Sequence, residues 1–208
     1  MESATKKFTE QFFVQAHPFS DLTLFVQDRE LYVDKSVLAV GSKVFRTYLQ
    51  DTTIDSIEIL DVSADDMIEL LRFLYPQYHC TINNHNVTIL LILANRFEID
   101  FVTSACRTFI LVYLSKLELS CANELIEQDD GTRLPISSIL EILCIWFREF
   151  FYMNDTNTCR AVLDKLSQCK TSTIDASNGF KGIDEAIKWR IFQARAKHLE
   201  IKASLQCK

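Results

Sequence analysis

Apolar residues recur at every second position early in this chain and at helical spacing soon afterwards. Leu22, Leu24 and Val26 have the two-residue period of a strand. A polar turn at 27–29 separates them from residues 31–33, which predict a second strand and therefore a hairpin. This change of period limits the fold more than any other feature, because it predicts a small sheet packed against helices.

Helical spacing begins directly after the hairpin. It covers residues 35–49, with a break at Gly41-Ser42, and alternation returns at 56–60 as a third short strand. Ser63 followed by Asp66 is the pattern of a helix N-cap. Helices are also predicted over residues 7–16, 64–75 and 86–97, and from Asp100 to beyond Ile110.

Strand signals stop after Tyr113, and only helices are predicted beyond it. Pro135 is favourable directly before one of them, and residues 171–182 are predicted to be a loop. The predicted fold class is therefore α+β: a small sheet with surrounding helices over residues 1–115, followed by an all-α extension over 116–208. The helices of the extension are predicted near 119–128, 136–151, 159–169 and 183–205.

Composition narrows the possible functions. The 208 residues include only 4 glycines and 3 prolines, which is unlike low-complexity and turn-rich all-β proteins. A net charge of −6 disfavours nucleic acid as the main partner, because phosphate binding requires a basic surface. No apolar run is long enough for a membrane helix, and the start lacks the apolar core of a secretory signal. We therefore expect a cytosolic or nuclear protein whose 7 cysteines are reduced.

The motifs of catalysis are absent from the sequence. It has no G-x-S-x-G, no G-x-x-x-x-G-K-[ST] and no G-x-G-x-x-G. His79-Cys80 with His85 is the only tight His/Cys cluster, and no second closely spaced pair of zinc ligands accompanies it. We expect no catalytic residues, no metal and no cofactor, and interpret the histidines as loop residues.

The last predicted helix departs from the acidic balance of the chain. Its apolar residues recur in steps of three and four, as in a seam that packs on another helix. The two open interpretations are a helix that closes the C-terminal bundle with a solvated basic side and a helix that binds an acidic partner. The basic residues are Lys188, Arg190, Arg195, Lys197, Lys202 and Lys208.

Three segments together resemble the BTB/POZ domain family. They are FSDLTLFVQDRELYVDKSVLAVGSKVF, SIEILDVSADDMIELLRFLYP and NVTILLILANRFEIDFVTSACRTFI. The resemblance covers residues 12–114, and five consecutive elements agree in order and separation. It is most similar to the BTB domains of nematode MATH–BTB proteins, although no MATH domain precedes it here. The segment KLELSCANELIEQ resembles the start of the BACK-type helices that follow BTB domains in cullin adaptors.

The resemblance implies the BTB/POZ fold, in which the small sheet is mixed. It also implies a protein-interaction module that dimerises through its N-terminal part. In the family an Asp at the start of the first strand faces a basic residue fourteen positions later, and Asp21 and Lys35 hold those places. The alternative is an ordinary surface pair. The residues expected to supply apolar dimer contacts are Phe12, Phe13, Phe19, Leu22 and Leu24.

Many members of the family bind cullin-3. The resemblance places the cullin contacts on Phe45, Tyr48, Leu49 and Asp55. In the loop Q-D-T-T-I-D-S at 50–56, Asp55 stands where the cullin-binding group often has Glu, and the loop is shorter. The family also often has His where this chain has Asp34. The alternative interpretation is a solvated loop without a partner.

These expectations combine into an adaptor hypothesis. The chain is expected to pair with itself or with another BTB protein, and to link a cullin-3 ubiquitin ligase to an unknown substrate protein, with neither nucleic acid nor membrane as partner. The rival hypothesis is a structural or regulatory BTB protein that oligomerises without binding a cullin. A weaker third one is a transcriptional regulator whose partner supplies the DNA-binding module.

Overall fold

The computed structural model describes residues 12–119, 125–128 and 131–206. The chain divides into two compact units, Met1–Cys106 and Arg107–Lys208. Both this division and the predicted domain boundary after residue 115 fall within one long helix, Asp100–Lys116. The two units are described separately below.

A three-stranded mixed sheet forms the centre of the first unit. Its strands are β1 (Leu22–Val26), β2 (Arg29–Val33) and β3 (Ser56–Ile59), in the order β2-β1-β3. β1 and β2 form the predicted antiparallel hairpin, and Gln27 in its turn adopts the left-handed region with a φ of 55°. β3 runs parallel to β1, which requires the crossover that the first helices provide.

The helices of the first unit begin where the sequence predicts them. Ser63 Oγ accepts a hydrogen bond from the Asp66 N–H at 3.1 Å, which confirms the predicted N-cap. Residues 12–14 are helical, whereas the predicted start of that segment lies outside the described residues. The bounds are α1 Lys35–Gly41, α2 Lys43–Tyr48, α3 Ala64–Leu74, a 3₁₀ turn Pro76–Tyr78, α4 Val87–Arg96 and α5 Asp100–Lys116.

The second unit contains a hairpin that the sequence analysis did not predict. Residues 119–128 were predicted to be helical, but β4 (Leu125–Glu127) pairs antiparallel with β5 (Arg133–Pro135). Gly131 adopts a φ of 79°, a conformation that glycine reaches without steric cost and that closes this tight turn. Apart from this hairpin, the regular secondary structure described in the C-terminal part is helical.

Helices make up the rest of the second unit. α6 begins directly after Pro135, as expected, and the predicted loop at 171–182 instead forms two short helices. Asp155 caps α7 by accepting the Thr158 N–H at 3.0 Å, and it also pairs with Arg107 at 2.6 Å. The bounds are α6 Ile136–Tyr152, α7 Thr156–Gln168, α8 Thr171–Ala176, α9 Asn178–Lys181 and α10 Glu185–Gln206.

The core of the second unit lies between α6, α7 and α10. Phe147 and Phe150 of α6 are buried, as are Ile187 and Ile191 of α10, so the first half of the predicted apolar seam packs within the unit. Of the helices in the described residues, none is both long and apolar enough to span a bilayer.

Gly179 permits α9 to approach α6 closely. A β-carbon at this position would lie 2.8 Å from Glu141 Cα and 2.9 Å from its carbonyl oxygen, and backbone atoms cannot yield as a flexible side chain can. At Gly182 the nearest atom to an added β-carbon would be 3.7 Å away, which is an ordinary van der Waals distance. Gly182 therefore serves as the control for a substitution at Gly179.

We expect Gly179→Ala to lower the free energy of unfolding by about 1–3 kcal/mol, because the methyl group forces the helices apart. Gly182→Ala should be nearly neutral. Both tryptophans of the chain, Trp146 and Trp189, lie in the second unit, so urea unfolding followed by tryptophan fluorescence measures this difference directly. Equal midpoints for the two variants would contradict the close approach.

Candidate protein-interaction surfaces

Several residues predicted to contact a second subunit are instead buried in the single chain. The side chains of Phe13, Leu22 and Leu24 are almost inaccessible to solvent, so the single chain offers a partner no surface on them. The reason lies in the sheet: β1 is the middle strand, and its Leu22, Leu24 and Val26 face the core of their own unit.

Phe19 and Phe12 remain available at this end of the molecule. Phe19 is 82% exposed, an unusual degree of exposure for a phenylalanine. Phe12 is half-buried, and its ring centroid lies 5.3 Å from that of Phe13 and 6.0 Å from that of Tyr75. An aromatic cluster thus anchors residues 12–13 on the first unit and leaves the Phe19 side chain in solvent.

Asp21 and Lys35 interact, but not as the charge pair that was expected. Asp21 Oδ1 accepts a hydrogen bond from the backbone N–H of Lys35 at 2.7 Å, at the start of α1. Within the described residues no ion pair joins their side chains, and Asp21 is exposed in the single chain. The carboxylate therefore fixes the entry into α1.

The α2 helix carries the residues predicted to bind a cullin, and Ser42 fixes its position. The Ser42 hydroxyl donates to the Phe97 carbonyl at 2.5 Å and accepts from the Phe45 N–H at 3.1 Å. Phe45 is fully buried, and its ring stacks on that of Phe97 at a centroid distance of 4.9 Å. The aromatic stack removes the Phe45 side chain from the surface of the single chain, unlike what its prediction as a direct cullin contact requires.

Tyr48, at the end of α2, is 56% exposed, and the following loop has its own hydrogen bonds. Asp51 Oδ1 accepts the Thr53 N–H at 2.9 Å and the Thr53 hydroxyl at 2.6 Å. These two bonds lower the pKa of Asp51, because they favour its charged form. Leu49 is half-buried and Asp55 is exposed, so α2 and its loop present Tyr48, Leu49 and Asp55 on one stretch of chain.

A sequence model of the BTB/POZ domain family matches residues 10–114, which is half of the chain. The chain belongs to the BTB/POZ domain family. It is 30% identical over 149 residues to BTB and MATH domain-containing protein 36 of Caenorhabditis elegans and 31% identical over 96 residues to Kelch-like protein 21 of Danio rerio. These matches cover 62% and 44% of this chain, but only 46% and 16% of the relatives, so the chain spans less than half of their length.

The comparison with solved structures matches BTB domains. The BTB domain of human Gigaxonin aligns with a TM-score of 0.40 and 21% identity, over 51% of this chain and 87% of that one. The α+β fold class that the sequence predicts is that of the BTB/POZ domain with a helical C-terminal part. BTB domains are generally non-enzymatic interaction modules.

The burial and the grouping of the described cysteines and histidines determine whether they could react as nucleophiles or bind a metal. Burial raises the pKa of Cys106 and Cys144 to about 12, so neither is a thiolate nucleophile at neutral pH. Over the described ranges no three His, Cys, Asp or Glu side chains are grouped to hold a metal ion. His79 and His85 are both exposed in the loop where the sequence predicted them. Cys121 and Cys207 lie outside the described residues.

Two exposed apolar residues of the BTB domain were missed by the sequence analysis. Val40 at the end of α1 is 79% exposed, and Phe101 at the start of α5 is also exposed. An added β-carbon at Gly41 would lie 3.9 Å from the Phe101 ring, so the two segments are adjacent. The helical period could have predicted the exposure of Val40, because it places Val40 on the opposite side of α1 from buried Leu38.

Ser42→Ala tests whether this hydroxyl holds α2 in place. We expect the free energy of unfolding to fall by about 1–2 kcal/mol, because the cap is lost and the buried Phe97 carbonyl loses its donor. Circular dichroism during urea unfolding measures the change, since the first unit has no tryptophan. Ser36→Ala, an exposed serine on α1, is the matched control, and equal loss in both variants would contradict the role of Ser42.

Proposed function

We propose that this BTB protein is a non-enzymatic adaptor that dimerises and links a cullin-3 ubiquitin ligase to a substrate. Membership of the BTB/POZ family supports the interaction role, and similarity to a Kelch-like protein supports the adaptor role. The observation that carries the cullin part is the exposed Tyr48 at the end of a helix whose other aromatic, Phe45, is buried. An exposed tyrosine on a rigid helix is typical of an interface anchor.

The proposed cullin surface consists of Tyr48, Leu49 and Asp55. Ser42 and the Phe45–Phe97 stack hold α2 rigidly, so a partner helix or loop meets a preformed surface with little loss of conformational freedom. Asp55 supplies a negative charge in place of the longer glutamate that the family resemblance leads us to expect.

The proposed dimer surface consists of Phe12, Phe19, Asp21 and Lys35. Exposure of Phe19 supports it, since burial of a phenylalanine in an interface contributes about 1.5–3 kcal/mol. The core of the first unit contains the other three residues that were expected to supply apolar dimer contacts, which are Phe13, Leu22 and Leu24.

A second candidate function, oligomerisation without a cullin, has a specific observation in its favour. Thr53 occupies the loop position where cullin-binding members often have an apolar residue, and both of its donors are bonded to Asp51. The loop is therefore closed on itself at that point. In this candidate the protein pairs with longer BTB proteins and competes with their own assemblies. Under both candidates we place it in the cytosol or nucleus.

A calorimetric titration with the N-terminal region of cullin-3 tests the adaptor function. We expect binding that Tyr48→Glu weakens by at least about thirtyfold, because truncating or charging a central anchor costs about 2 kcal/mol or more. Leu60→Glu places the same charge at another exposed apolar position of the first unit and should bind normally. Absence of heat from the folded wild-type protein would reject the adaptor function and favour the second candidate.

Sedimentation equilibrium tests the dimer separately. We expect the wild-type protein to dimerise and Phe19→Asp to raise the dimer dissociation constant by about tenfold or more, because a charge would be buried. Leu205→Asp, at an exposed position of α10, is the matched control. A monomeric wild-type protein, or equal effects of the two substitutions, would contradict the proposed dimer surface.

A further inference from the structure

The outer face of the three-stranded sheet carries two aromatic and two acidic side chains. Leu22, Leu24 and Val26 of the middle strand β1 are buried against the core. Since successive side chains of a strand point to opposite faces, Thr23 and Phe25 lie on the outer side. Phe25 is 41% exposed there, at the centre of the sheet.

Strand register places a carboxylate on each side of the Phe25 ring. Phe25 lies opposite Glu30 of β2 and opposite Glu58 of β3. Directly opposite residues of an antiparallel pair have neighbouring side chains, which applies to Phe25 and Glu30. Glu58 is the Cα partner of Phe25 on the parallel strand and lies on the same face of the sheet. The Tyr32 hydroxyl, also on the outer face, donates to Glu30 Oε2 at 2.6 Å. This hydrogen bond raises the pKa of Tyr32, so at neutral pH the phenol remains protonated while it orients the charged carboxylate.

The surroundings of these side chains are acidic and concave. A depression of about 500 Å³ is lined by Phe25, Glu30 and Tyr32 but not by Glu58. Its other titratable lining residues are His17, Asp21 and Asp55. No lysine or arginine among the residues that the structure describes lines it. Among the residues that the structure describes, neither Glu30 nor Glu58 forms an ion pair with a lysine or an arginine.

The arginine nearest to this face in the sequence is engaged on the other side of the sheet. Arg29 lies opposite Val26, whose side chain faces the core. Arg29 is therefore on the core-facing side of β2 and not on the outer face. Its guanidinium pairs with Asp65 at 2.7 Å. It does not compensate Glu30 or Glu58.

We propose that this outer face, defined by Phe25, Glu30, Tyr32 and Glu58, binds an arginine-bearing segment of a partner protein. A guanidinium stacks on an aromatic ring and donates to carboxylates at the same time, which is the combination the register provides. Arginine is also less strongly hydrated than lysine and loses less on leaving water. A second copy of the same face, or an anionic ligand, is repelled by the like charge.

This surface contains none of the residues of the proposed dimer and cullin surfaces, although its depression reaches Asp21 and Asp55. The inference therefore does not depend on either proposal. Under the adaptor function it identifies the chemistry of one class of partner, a basic segment recognised by the BTB domain itself rather than by an appended domain.

Amide NMR titration with a defined peptide tests the proposal. The probe is a ten-residue serine/glycine peptide with two arginines, and its control has both arginines replaced by citrulline, which keeps the shape and removes the charge. We expect the arginine peptide to shift the amide signals of β1, β2 and β3 and to bind about tenfold more tightly than the citrulline peptide at low salt.

Isosteric variants of the protein complete the test. Glu30→Gln with Glu58→Gln should reduce the affinity for the arginine peptide about tenfold. The pair Glu118→Gln with Glu200→Gln, both exposed and in the second unit, changes the net charge equally and should leave the affinity unchanged. Phe25→Leu keeps an apolar side chain and should weaken binding severalfold by removing the ring.

Three results would overturn the proposal. One is the absence of any shift in the three strands at millimolar peptide. Another is equal binding of the arginine and citrulline peptides. The third is an equal loss of affinity in the two glutamine double variants, because this would indicate attraction by the overall charge of the protein rather than by this surface.

Discussion

The position of β1 at the centre of the sheet determines what the first unit can present to other proteins. With β2 on one side and β3 on the other, every second residue of β1 enters the core, and the residues between them face outwards. A shift of the register by one residue would exchange the two sets and expose Leu22, Leu24 and Val26. The burial of these three side chains therefore fixes the register, and the register fixes the place of Phe25.

The same constraint explains why the single chain buries Leu22 and Leu24, two of the residues predicted to be apolar dimer contacts. The sequence shows the alternation in residues 22–26. Because Phe25 is also apolar, the sequence does not show whether the even-numbered or the odd-numbered residues face the core. Leu22 and Leu24 are buried by their own chain, and the exposed phenylalanine of this region is Phe19, which lies outside any strand. Local pattern predicts the strand, whereas pairing on both sides, which is a long-range property, determines what the strand exposes.

Elements with a local chemical cause were predicted well. The Ser63 cap, the helix start after Pro135 and the hairpin around Gln27 each depend on residues within a few positions of one another. The hairpin at Leu125–Pro135 and the helices within 171–182 were not predicted. The strands β4 and β5 have three residues each, and α8 and α9 have six and four, so none of them contains enough periods to distinguish it from a loop.

The candidate surfaces differ in how much of them a sequence can reveal. Family resemblance locates α2 and its loop, but not which of its side chains are exposed. Phe45 is buried and Tyr48, three residues later, is exposed. The difference arises because Phe97, more than fifty residues away in the sequence, stacks on Phe45. In the same way, Glu30 and Glu58 become neighbours of Phe25 only through pairing across two strand boundaries. Interaction surfaces of this BTB protein are built from such non-local juxtapositions. Ser42 anchors α2 through two hydrogen bonds in which the Tyr48 side chain takes no part. Tyr48, Phe19 and Phe25 can therefore be replaced without removing these bonds. Asp21 differs from them, because it belongs to the proposed dimer surface and also accepts the hydrogen bond at the start of α1.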